Sequence, residues 1–466
     1  MLEFKDFSLY FKDQDEKEIK ILDRINLAFK KGTINVITGK SGSGKSTLIS
    51  LINGIIPEIN KANISGDILF EGNSLLDKNI SDRSLFISTV FQNPKNQFYA
   101  VNSLDEIAFG LENRNISKDG IYKKINHFTK LLQTENLLDR DLMKLSGGEK
   151  QLVAITSVSV MDNEIYIFDE PSASLDKESI IRLKSAINQL KNLGKIIIIA
   201  EHRLYYLKDI LDKLYIIKNK KVIGFDALKI NDDIIKENKL RSINLIEKNN
   251  LRHKSYEVKN LFDKTYDKNK SLKFLNFKCR YKKRTIFNFN LSLDQGIYFI
   301  IGENGVGKSS FIRNVCNLNK KQKGDFFIND DKISFPPAYI SLIMQDVNYQ
   351  LFTESVLSEM QIVEVDERKI DRILKMVELF DKKNSHPQSL SGGEKQRLAL
   401  GLAFVSSKKI VIMDEPTSGL CYPSMEKLVK IIKKMKKDGK TVIIVSHDYE
   451  FISMANENIL EFVNDI

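Results

Sequence analysis

The stretch that decides the fold is Gly39-Lys40-Ser41-Gly42-Ser43-Gly44-Lys45-Ser46, and it returns as Gly302-Glu303-Asn304-Gly305-Val306-Gly307-Lys308-Ser309. Both copies fit the pattern G-x-x-x-x-G-K-[ST], in which glycines let consecutive backbone N–H groups surround a phosphate at a helix N-terminus. A short β-branched apolar run, 34–37 or 297–301, precedes each copy, and a helical pattern follows it. Strand, loop and helix in this order predict that the chain binds two nucleoside triphosphates.

Each loop supplies candidate phosphate and metal ligands. Lys45 and Lys308 are expected to reach the β and γ phosphates. The hydroxyls of Ser46 and Ser309 suit Mg²⁺, a hard cation that prefers oxygen ligands. The predicted set consists of small, hydroxylated, basic and amide residues of the two loops: Gly39, Ser41, Gly42, Gly44, Lys45, Ser46, Thr47, Gly302, Asn304, Gly305, Gly307, Lys308, Ser309 and Ser310.

Length and composition predict a cytosolic protein with two domains. The chain has 466 residues, of which 42% are hydrophobic. No apolar run approaches the roughly 18 residues of a membrane span, and no secretion signal is expected at the N-terminus. Cys279, Cys316 and Cys421 are far apart, so neither a disulfide framework nor a zinc site is indicated. The net charge of +11 fits an anionic partner or a lysine-rich solvated exterior.

A second motif, Leu-Ser-Gly-Gly-Glu-Lys-Gln, occurs at 145–151 and again at 390–396. Serine before paired glycines and an apolar helical pattern predicts a helix N-terminus whose N–H groups can bind an anion. An ordinary helix cap is the alternative for one copy, and the repetition argues against it. The predicted ligands in this motif are Ser146, Gly147, Gly148, Ser391, Gly392 and Gly393.

A third motif is an apolar strand that ends in two acids, Asp169-Glu170 in one half and Asp414-Glu415 in the other. Asp169 and Asp414 are placed to hold Mg²⁺, directly or through water. Glu170 and Glu415 are placed to orient or deprotonate an attacking water. A solvated strand end is the alternative, and the duplication argues against it.

Polar residues also follow other predicted strands. Strands at 195–200 and 441–445 lead to His202 and His447, which either donate to a γ-phosphate or simply pack. An apolar strand at 85–91 leads to Gln92, whose counterpart is Gln345. Taken alone, such a glutamine would be solvent-facing and idle.

The spacing of these motifs indicates an internal duplication. The differences 390 − 145, 414 − 169 and 447 − 202 all equal 245. Upstream the offset grows, since 345 − 92 is 253 and 302 − 39 is 263, so the second half has shorter loops there. We predict domains at 1–225 and 272–466, joined by a mixed-charge, partly helical linker at 226–271 that lacks glycine and proline.

With these motifs in this order, twice, nearly the whole chain resembles the ATPases of ATP-binding cassette systems. The resemblance implies an α/β fold of two tandem P-loop NTPase domains, each with a parallel-sheet core, an antiparallel β subdomain and a helical signature subdomain. It also implies that ATP and Mg²⁺ lie between one cassette's phosphate loop and the other's signature. Gln92 and Gln345 would act as metal ligands and in catalysis with Glu170, Glu415, His202 and His447. Adenine would stack on Tyr281 and, in the first half, on Phe11 or Tyr10.

One departure from the family pattern lies after the second catalytic glutamate. The first half has Asp176 where the second half has Cys421. By the family's head-to-tail geometry Cys421 would face the site built on Lys45, and a thiol cannot replace a carboxylate as hydrogen-bond acceptor. We predict that this site is slower or more loosely coupled, so Cys421→Asp should change the steady-state rate of ATP hydrolysis. An unchanged rate would contradict this.

Within the family, the glutamine loops 91–98 and 344–356 look like those of energy-coupling factor transporters, as do the stretches 105–113 and 386–390. The resemblance implies a peripheral ATPase at the cytoplasmic face of the membrane, with an integral scaffold subunit and a substrate-binding membrane subunit that import a vitamin or metal ion. No nucleic acid partner is expected. The alternative is a soluble tandem-cassette ATPase that acts on ribosomes or nucleic acid, which the positive charge would fit.

Overall fold

The computed structural model describes residues 1–12, 16–173, 175–248, 251, 255–258, 271–281, 284–303, 305–318 and 323–463. The chain divides into two compact units. The first comprises Met1–Leu245 with Cys421–Pro423, and the second comprises Ile246–Leu420 with Ser424–Ile466.

The first unit contains ten strands and eight helices among its described residues. Its strands are β1 (Leu2–Lys12), β2 (Glu18–Phe29), β3 (Thr33–Gly39), β4 (Asn63–Phe70), β5 (Asn73–Ser74), β6 (Ile87–Val90), β7 (Ile165–Asp169), β8 (Ile196–Ala200), β9 (Lys213–Lys218) and β10 (Lys221–Asp226). Its helices are α1 (Lys45–Asn53), α2 (Ile55–Glu58), α3 (Ile80–Ser84), α4 (Ser103–Asn113), α5 (Lys118–Leu132), α6 (Gly147–Ser159), α7 (Lys177–Asn192) and α8 (Asp232–Glu237).

A six-stranded sheet in the order β10-β9-β3-β8-β7-β6 forms the centre of the first unit. Its pairs are parallel except β10 with β9. Strand β8 shows why a continuous apolar run is needed here: Ile197 and Ile199 enter one core, while Ile196, Ile198 and Ala200 enter the other. A strand buried on both faces therefore favours apolar side chains at every position, and a polar side chain there needs a hydrogen-bond partner.

Two further layers complete this unit. The antiparallel sheet β2-β1-β4-β5 packs its apolar face into one of the two cores. Helices α4, α5 and α6 form a separate helical core around Ile107, Phe128 and Val153. Parallel sheet, antiparallel sheet and helical subdomain are the three parts that the sequence predicts, so this prediction is confirmed.

The second unit repeats the plan. Its strands are β11 (Ser255–Val258), β12 (Leu272–Tyr281), β13 (Arg284–Leu293), β14 (Ile297–Gly302), β15 (Lys323–Ile328), β16 (Asp331–Lys332), β17 (Ile340–Ile343), β18 (Ile410–Asp414), β19 (Thr441–Val445) and β20 (Asn458–Phe462). Its helices are α9 (Lys308–Val315), α10 (Val356–Gln361), α11 (Glu367–Met376), α12 (Gly392–Val405), α13 (Tyr422–Lys437) and α14 (Tyr449–Ala455). The central sheet has the order β11-β20-β14-β19-β18-β17 and is parallel in the described pairs.

Parallel strands bring the predicted motifs to one edge of each sheet. In the first unit β3, β7 and β8 are neighbours, so their carboxyl ends place Gly39, Asp169 and Ala200 side by side. The carboxyl edge of a parallel sheet is where α/β proteins bind ligands. In the second unit β14, β18 and β19 form the same edge.

The structure differs from the sequence prediction at the strand 85–91 and adds detail to the predicted linker 226–271. The strand predicted at 85–91 spans only Ile87–Val90, because Leu85 ends α3 and its side chain is 61% exposed. The predicted linker contains α8, and its Ile235, Leu240 and Ile243 are buried in a core of the first unit. In the described part of the chain no helix has the length and apolar character of a membrane span.

Candidate functional site

The first phosphate-loop candidate lies between β3 and α1. Its glycines 39, 42 and 44 have φ of 155°, 74° and 105°. A Cβ at Gly39 would lie 2.7 Å from the Ile217 carbonyl oxygen, whereas a Cβ at Gly42 would meet no described atom within 4 Å. The loop therefore combines glycine-dependent backbone with an open face at a helix N-terminus, where an anion is stabilised.

Lysine, histidine, glutamate and glutamine meet in this first site. Lys45 Nζ lies 3.0 Å from His202 Nε2, and His202 Nε2 lies 3.5 Å from Glu170 Oε1. Gln92 Nε2 donates to Glu170 Oε2 at 2.9 Å, so this glutamine is not idle. Because an ammonium group can only donate, His202 Nε2 is the acceptor while Lys45 is charged.

Burial dominates the electrostatics of these groups. It raises the pKa of Glu170 to about 8, although the charge of Lys45 opposes the shift. It lowers the pKa of Lys45 against the attraction of Glu170. Burial, together with the charge of Lys45, holds the pKa of His202 well below its usual value. His202 is therefore neutral at pH 7 and adds no positive charge to the site.

The second site contains the same residue types in a different arrangement. Lys308 Nζ donates to the carbonyl oxygens of Gly302 and Glu303, both at 2.8 Å, within its own loop. His447 Nε2 lies 3.8 Å from Glu415 Oε1, and the His447 side chain is 30% exposed. His202 in the first site is 5% exposed by the same measure, so the histidine position of the second site is more open.

The loops of the second site follow the first in backbone geometry. Gly302, Gly305 and Gly307 have φ of 145°, 78° and 108°. Burial raises the pKa of Asp414, with Arg313 and Lys308 opposing the shift. Gln345 is exposed, and no side-chain hydrogen bond joins it to a described residue.

Both Leu-Ser-Gly-Gly-Glu-Lys-Gln motifs begin helices, as the sequence predicts. The Ser146 N–H donates to Glu149 at 2.8 Å, and the Glu149 N–H donates back to Ser146 Oγ at 3.3 Å. The Ser391 N–H donates to Glu394 at 2.9 Å. A Cβ at Gly148 would lie 1.9 Å from Ser179 Oγ, which accounts for the second glycine. Nucleotide binding by these motifs stays a prediction.

The remaining predicted residues are placed as follows. Phe11 packs against a core of the first unit, while Lys20 Nζ lies 5.3 Å from the centre of the Tyr10 ring. Asn304 and the side chain of Tyr281 lie outside the described residues. Phe11, Tyr10 and Tyr281 as adenine platforms stay predictions.

The family model described as ABC transporter matches residues 22–173 and 286–418, which hold the motifs of both sites. An ABC transporter ATP-binding protein of Treponema denticola is 36% identical over 470 residues, covering 97% of this chain and 94% of its own. The chain belongs to the ABC transporter family.

A solved structure that aligns over nearly the whole chain shares the fold of this tandem ABC ATPase. A chain from a model of ribosome-bound archaeal Pelota and ABCE1 aligns with a TM-score of 0.66 at 20% identity, covering 99% of this chain and 78% of that one. One cassette, cbiO1 of Clostridium perfringens, described as part of the complex cbiONQ, is 30% identical with a TM-score of 0.45, covering 51% of this chain and 93% of its own. The first likeness shows the tandem fold alone.

As an ABC ATPase, the protein binds ATP with Mg²⁺ and hydrolyses it. The first site has oxygen ligands that fit the metal: the Ser46 hydroxyl is near enough to the Asp169 carboxyl to lower its pKa, and Asp169 Oδ1 is buried without a hydrogen-bond partner among the described residues. Burial raises the pKa of Asp169, so a cation there would favour the ionised carboxylate. Mg²⁺, when bound, would withdraw charge from the phosphate oxygens.

One functional residue of the ABC ATPase was missed by sequence reasoning. Glu201 is 2% exposed and accepts hydrogen bonds from the backbone N–H groups of His202 and Arg203. Its other oxygen accepts from Ser172 Oγ at 2.6 Å and Tyr206 Oη at 3.0 Å. We infer that Glu201 holds the His202 loop in place. The sequence signal that could have indicated this role is the position of Glu201 directly before His202. The equivalent residue of the second half is Ser446.

We predict that Glu170→Gln stabilises the nucleotide-free protein relative to wild type, by an amount that increases as pH rises. The pKa of Glu170, about 8 in the folded protein, exceeds the ordinary glutamate value of 4.5, so the wild type loses stability as pH rises from 4.5 through 8. Glutamine removes this loss. The unfolding free energy of the variant minus that of wild type should therefore increase by on the order of 2 to 4 kcal/mol between pH 5 and 8.5. Thermal unfolding of both proteins measures it, and a difference independent of pH would contradict the prediction.

Proposed function

We propose that this chain is the energy-coupling ATPase of a membrane importer of energy-coupling factor type. It binds to a membrane scaffold subunit and, with a substrate-binding membrane subunit, drives uptake of a vitamin or metal ion. It acts at the cytoplasmic face of the membrane. The observation that carries the proposal is the construction of the two glutamine loops, 91–98 and 344–356, together with residues 99–101 that follow the first.

Each glutamine loop is anchored by a second glutamine. The Phe91 N–H donates to Gln97 Oε1, and Gln97 Nε2 donates to the Thr89 carbonyl, both at 3.3 Å. In the second unit Gln350 makes the same two bonds with Met344 N–H and the Leu342 carbonyl, at 2.8 and 2.7 Å. The duplicated bonds indicate that the loop shape matters in both cassettes.

A buried glutamate anchors the other end of each loop. Glu106 Oε2 accepts from the N–H groups of Tyr99 and Ala100 at 2.8 and 2.9 Å. Glu359 Oε1 accepts from Phe352 and Thr353 at 2.5 and 2.7 Å. Charge-assisted bonds to buried carboxylates are among the stronger hydrogen bonds, so the loops are preorganised.

These anchored loops present apolar side chains to solvent. Tyr99 is 79% exposed and Val101 is 74% exposed, and the Tyr99 ring stacks on Phe109 with centroids 5.2 Å apart. Tyr349 and Phe352 of the second loop are 77% and 78% exposed. Exposed aromatic groups on a rigid support favour binding to a protein partner, and we propose that coupling helices of a membrane scaffold bind each of the two loops.

The same loop reaches the catalytic carboxylate. Gln92 lies between the two anchors of the first loop and donates to Glu170. A partner that shifts the exposed end of the loop would therefore move a group bonded to the proposed water-orienting residue. We propose accordingly that Glu170 and Glu415 orient water and that His202, His447, Gln92 and Gln345 act with them in catalysis. Mg²⁺ would be held by Asp169, Asp414, Ser46 and Ser309 together with the two glutamines. The predicted residues of the phosphate loops and signature motifs, with the aromatic residues, would bind nucleotide.

The test is affinity purification of the tagged chain from detergent-solubilised cells. We expect an integral membrane scaffold and a small membrane-embedded binding protein to accompany the wild type. The double variant Tyr99→Ser, Phe352→Ser should lose both, while Leu228→Ser, which changes a fully exposed leucine far along the chain, should keep them.

The competing function is a tandem-cassette ATPase that acts on ribosomes or nucleic acid, which the net charge of +11 favours. Recovery of ribosomes or nucleic acid that dissociate as salt is raised would support it and contradict the importer proposal. If the double variant still recovers the scaffold, the exposed aromatic residues of the two loops do not bind it.

A further inference from the structure

The second unit contains a cavity far from its phosphate loop in sequence, where α11, the end of α12 and the starts of β18 and β19 meet. Its volume is about 240 Å³, large enough for several waters or a phosphate group. Four cationic side chains and two carboxylates line it: Lys369, Arg372, Lys409, Lys440, Glu364 and Asp438. We call it the basic cavity.

Lys440 is the buried member of this group. It is 6% exposed, and its Nζ donates to the carbonyl oxygens of Ser406 and Lys408 at 2.5 and 2.7 Å. An ammonium group has three donors, so one remains after these two bonds. Among the described residues no carboxylate forms an ion pair with it. A buried lysine without a carboxylate is costly unless an anion compensates it.

The first unit shows how the same position is neutralised there. Applying the offset of 245, Lys440 corresponds to Lys195, which is also buried. Lys195 Nζ lies 2.9 Å from Asp162 and 3.9 Å from Glu164. The same offset places Ser407 at the position of Asp162 and Lys409 at that of Glu164. Both carboxylates are therefore lost in the second unit, and one is replaced by a cation.

The carboxylates that line the basic cavity do not neutralise its positive charge. Glu364 is engaged by Lys369 at 3.1 Å and by the N–H groups of Val365 and Asp366. Asp438 is solvent-exposed. Four cations against two carboxylates leave an excess positive charge around an open volume. Burial, with the charge of Lys409 added, lowers the pKa of Lys440 to about 8, and the charge of the exposed Asp438 opposes this shift without cancelling it.

We propose that the basic cavity of the second unit binds a phosphate-bearing anion, either a free phosphate compound or the headgroup of an anionic lipid. Lys440 and Lys409 are the primary contacts, and Arg372 and Lys369 close the site. Exposed Ile362, Val363 and Val365 adjoin it in sequence, which would suit a lipid source. The site is additional to the nucleotide sites and does not depend on the importer proposal.

The test measures protection of Lys440 from acetylation, by mass spectrometry on the full chain. A non-hydrolysable ATP analogue with Mg²⁺ occupies the phosphate loops throughout. The probes are inorganic phosphate, vesicles of phosphatidylglycerol in phosphatidylcholine, and vesicles of phosphatidylcholine alone. The control protein is S407D/K409E, which copies the carboxylates of the first unit and should therefore fold, as its thermal unfolding will verify. Lys195 serves as the matched internal control.

We expect at least one anionic probe to slow acetylation of Lys440 by about fivefold or more, with Lys195 unaffected and S407D/K409E unprotected. Protection by inorganic phosphate identifies a free phosphate compound, and protection by phosphatidylglycerol vesicles alone identifies a lipid headgroup. If neither inorganic phosphate nor phosphatidylglycerol vesicles slow acetylation of Lys440, the proposal is wrong. Equal protection of S407D/K409E would also overturn it, because binding would then not depend on the basic cavity.

Discussion

A chain in which Glu170 and Glu415 are both replaced by glutamine should hydrolyse ATP about 100- to 1000-fold more slowly than wild type. Each carboxylate ends a central strand beside a phosphate loop, and each backbone N–H donates to the neighbouring strand, to Ala200 in the first unit and Val445 in the second. Glutamine keeps the size, the backbone hydrogen bond and one side-chain acceptor oxygen, but it cannot accept a proton. ATP binding should survive, as fluorescent nucleotide titration will report.

The single variants test whether both sites turn over. If the sites are independent and equal, Glu170→Gln and Glu415→Gln should each keep about half of the steady-state phosphate release. Weak turnover in Glu170→Gln that is lost in Glu415→Gln would show that only the second site is productive. Glu112→Gln, an exposed glutamate of the helical subdomain, is the control. Full activity in the double variant would contradict both assignments.

Lys45→Ala and Lys308→Ala should each weaken nucleotide binding at their own site by about 100-fold or more, because each removes a cation aimed at the phosphates. Their effects on the nucleotide-free protein should differ. Lys308 donates to two carbonyl oxygens of its own loop, so alanine should cost about 1 to 3 kcal/mol of unfolding free energy. Lys45 makes its described contact with His202 and is disfavoured by burial, so its loss should cost less.

Isothermal titration with an ATP analogue and thermal unfolding without nucleotide measure the two effects. Lys40→Ala is the matched control, since Lys40 lies in the first loop but is exposed. Equal destabilisation by Lys45→Ala and Lys308→Ala would contradict the asymmetry. A normal nucleotide affinity in either variant would contradict its role as phosphate ligand.

Much of the fold follows from local sequence. Short β-branched apolar runs such as 196–200 favour strands buried on both faces, and glycines at fixed spacing before a helical pattern predict a phosphate loop. Serine three residues before glutamate, as in 146–149, predicts the capping box that begins α6. The strand predicted at 85–91 was too long, because Leu85 and Phe86 are apolar and yet belong to a turn after α3.

Other features depend on residues that are distant in sequence. Nothing around Glu106 or Glu359 indicates that each carboxylate receives two N–H groups of a glutamine loop. The bond from Gln92 to Glu170 joins positions 78 residues apart. Such contacts arise when the sheet order brings β6 and β7 together.

The sequence by itself determined that this protein has two ATPase cassettes of the ABC transporter family, because short motifs carry the chemistry of phosphate binding within a few residues. Tertiary structure alone decided which groups surround the equivalent lysines of the two copies. Lys45 meets His202 while Lys308 binds its own loop, and Lys195 has carboxylate partners while Lys440 has none among the described residues. The reason is physical: the free energy of a buried charge is set by the groups that packing places around it.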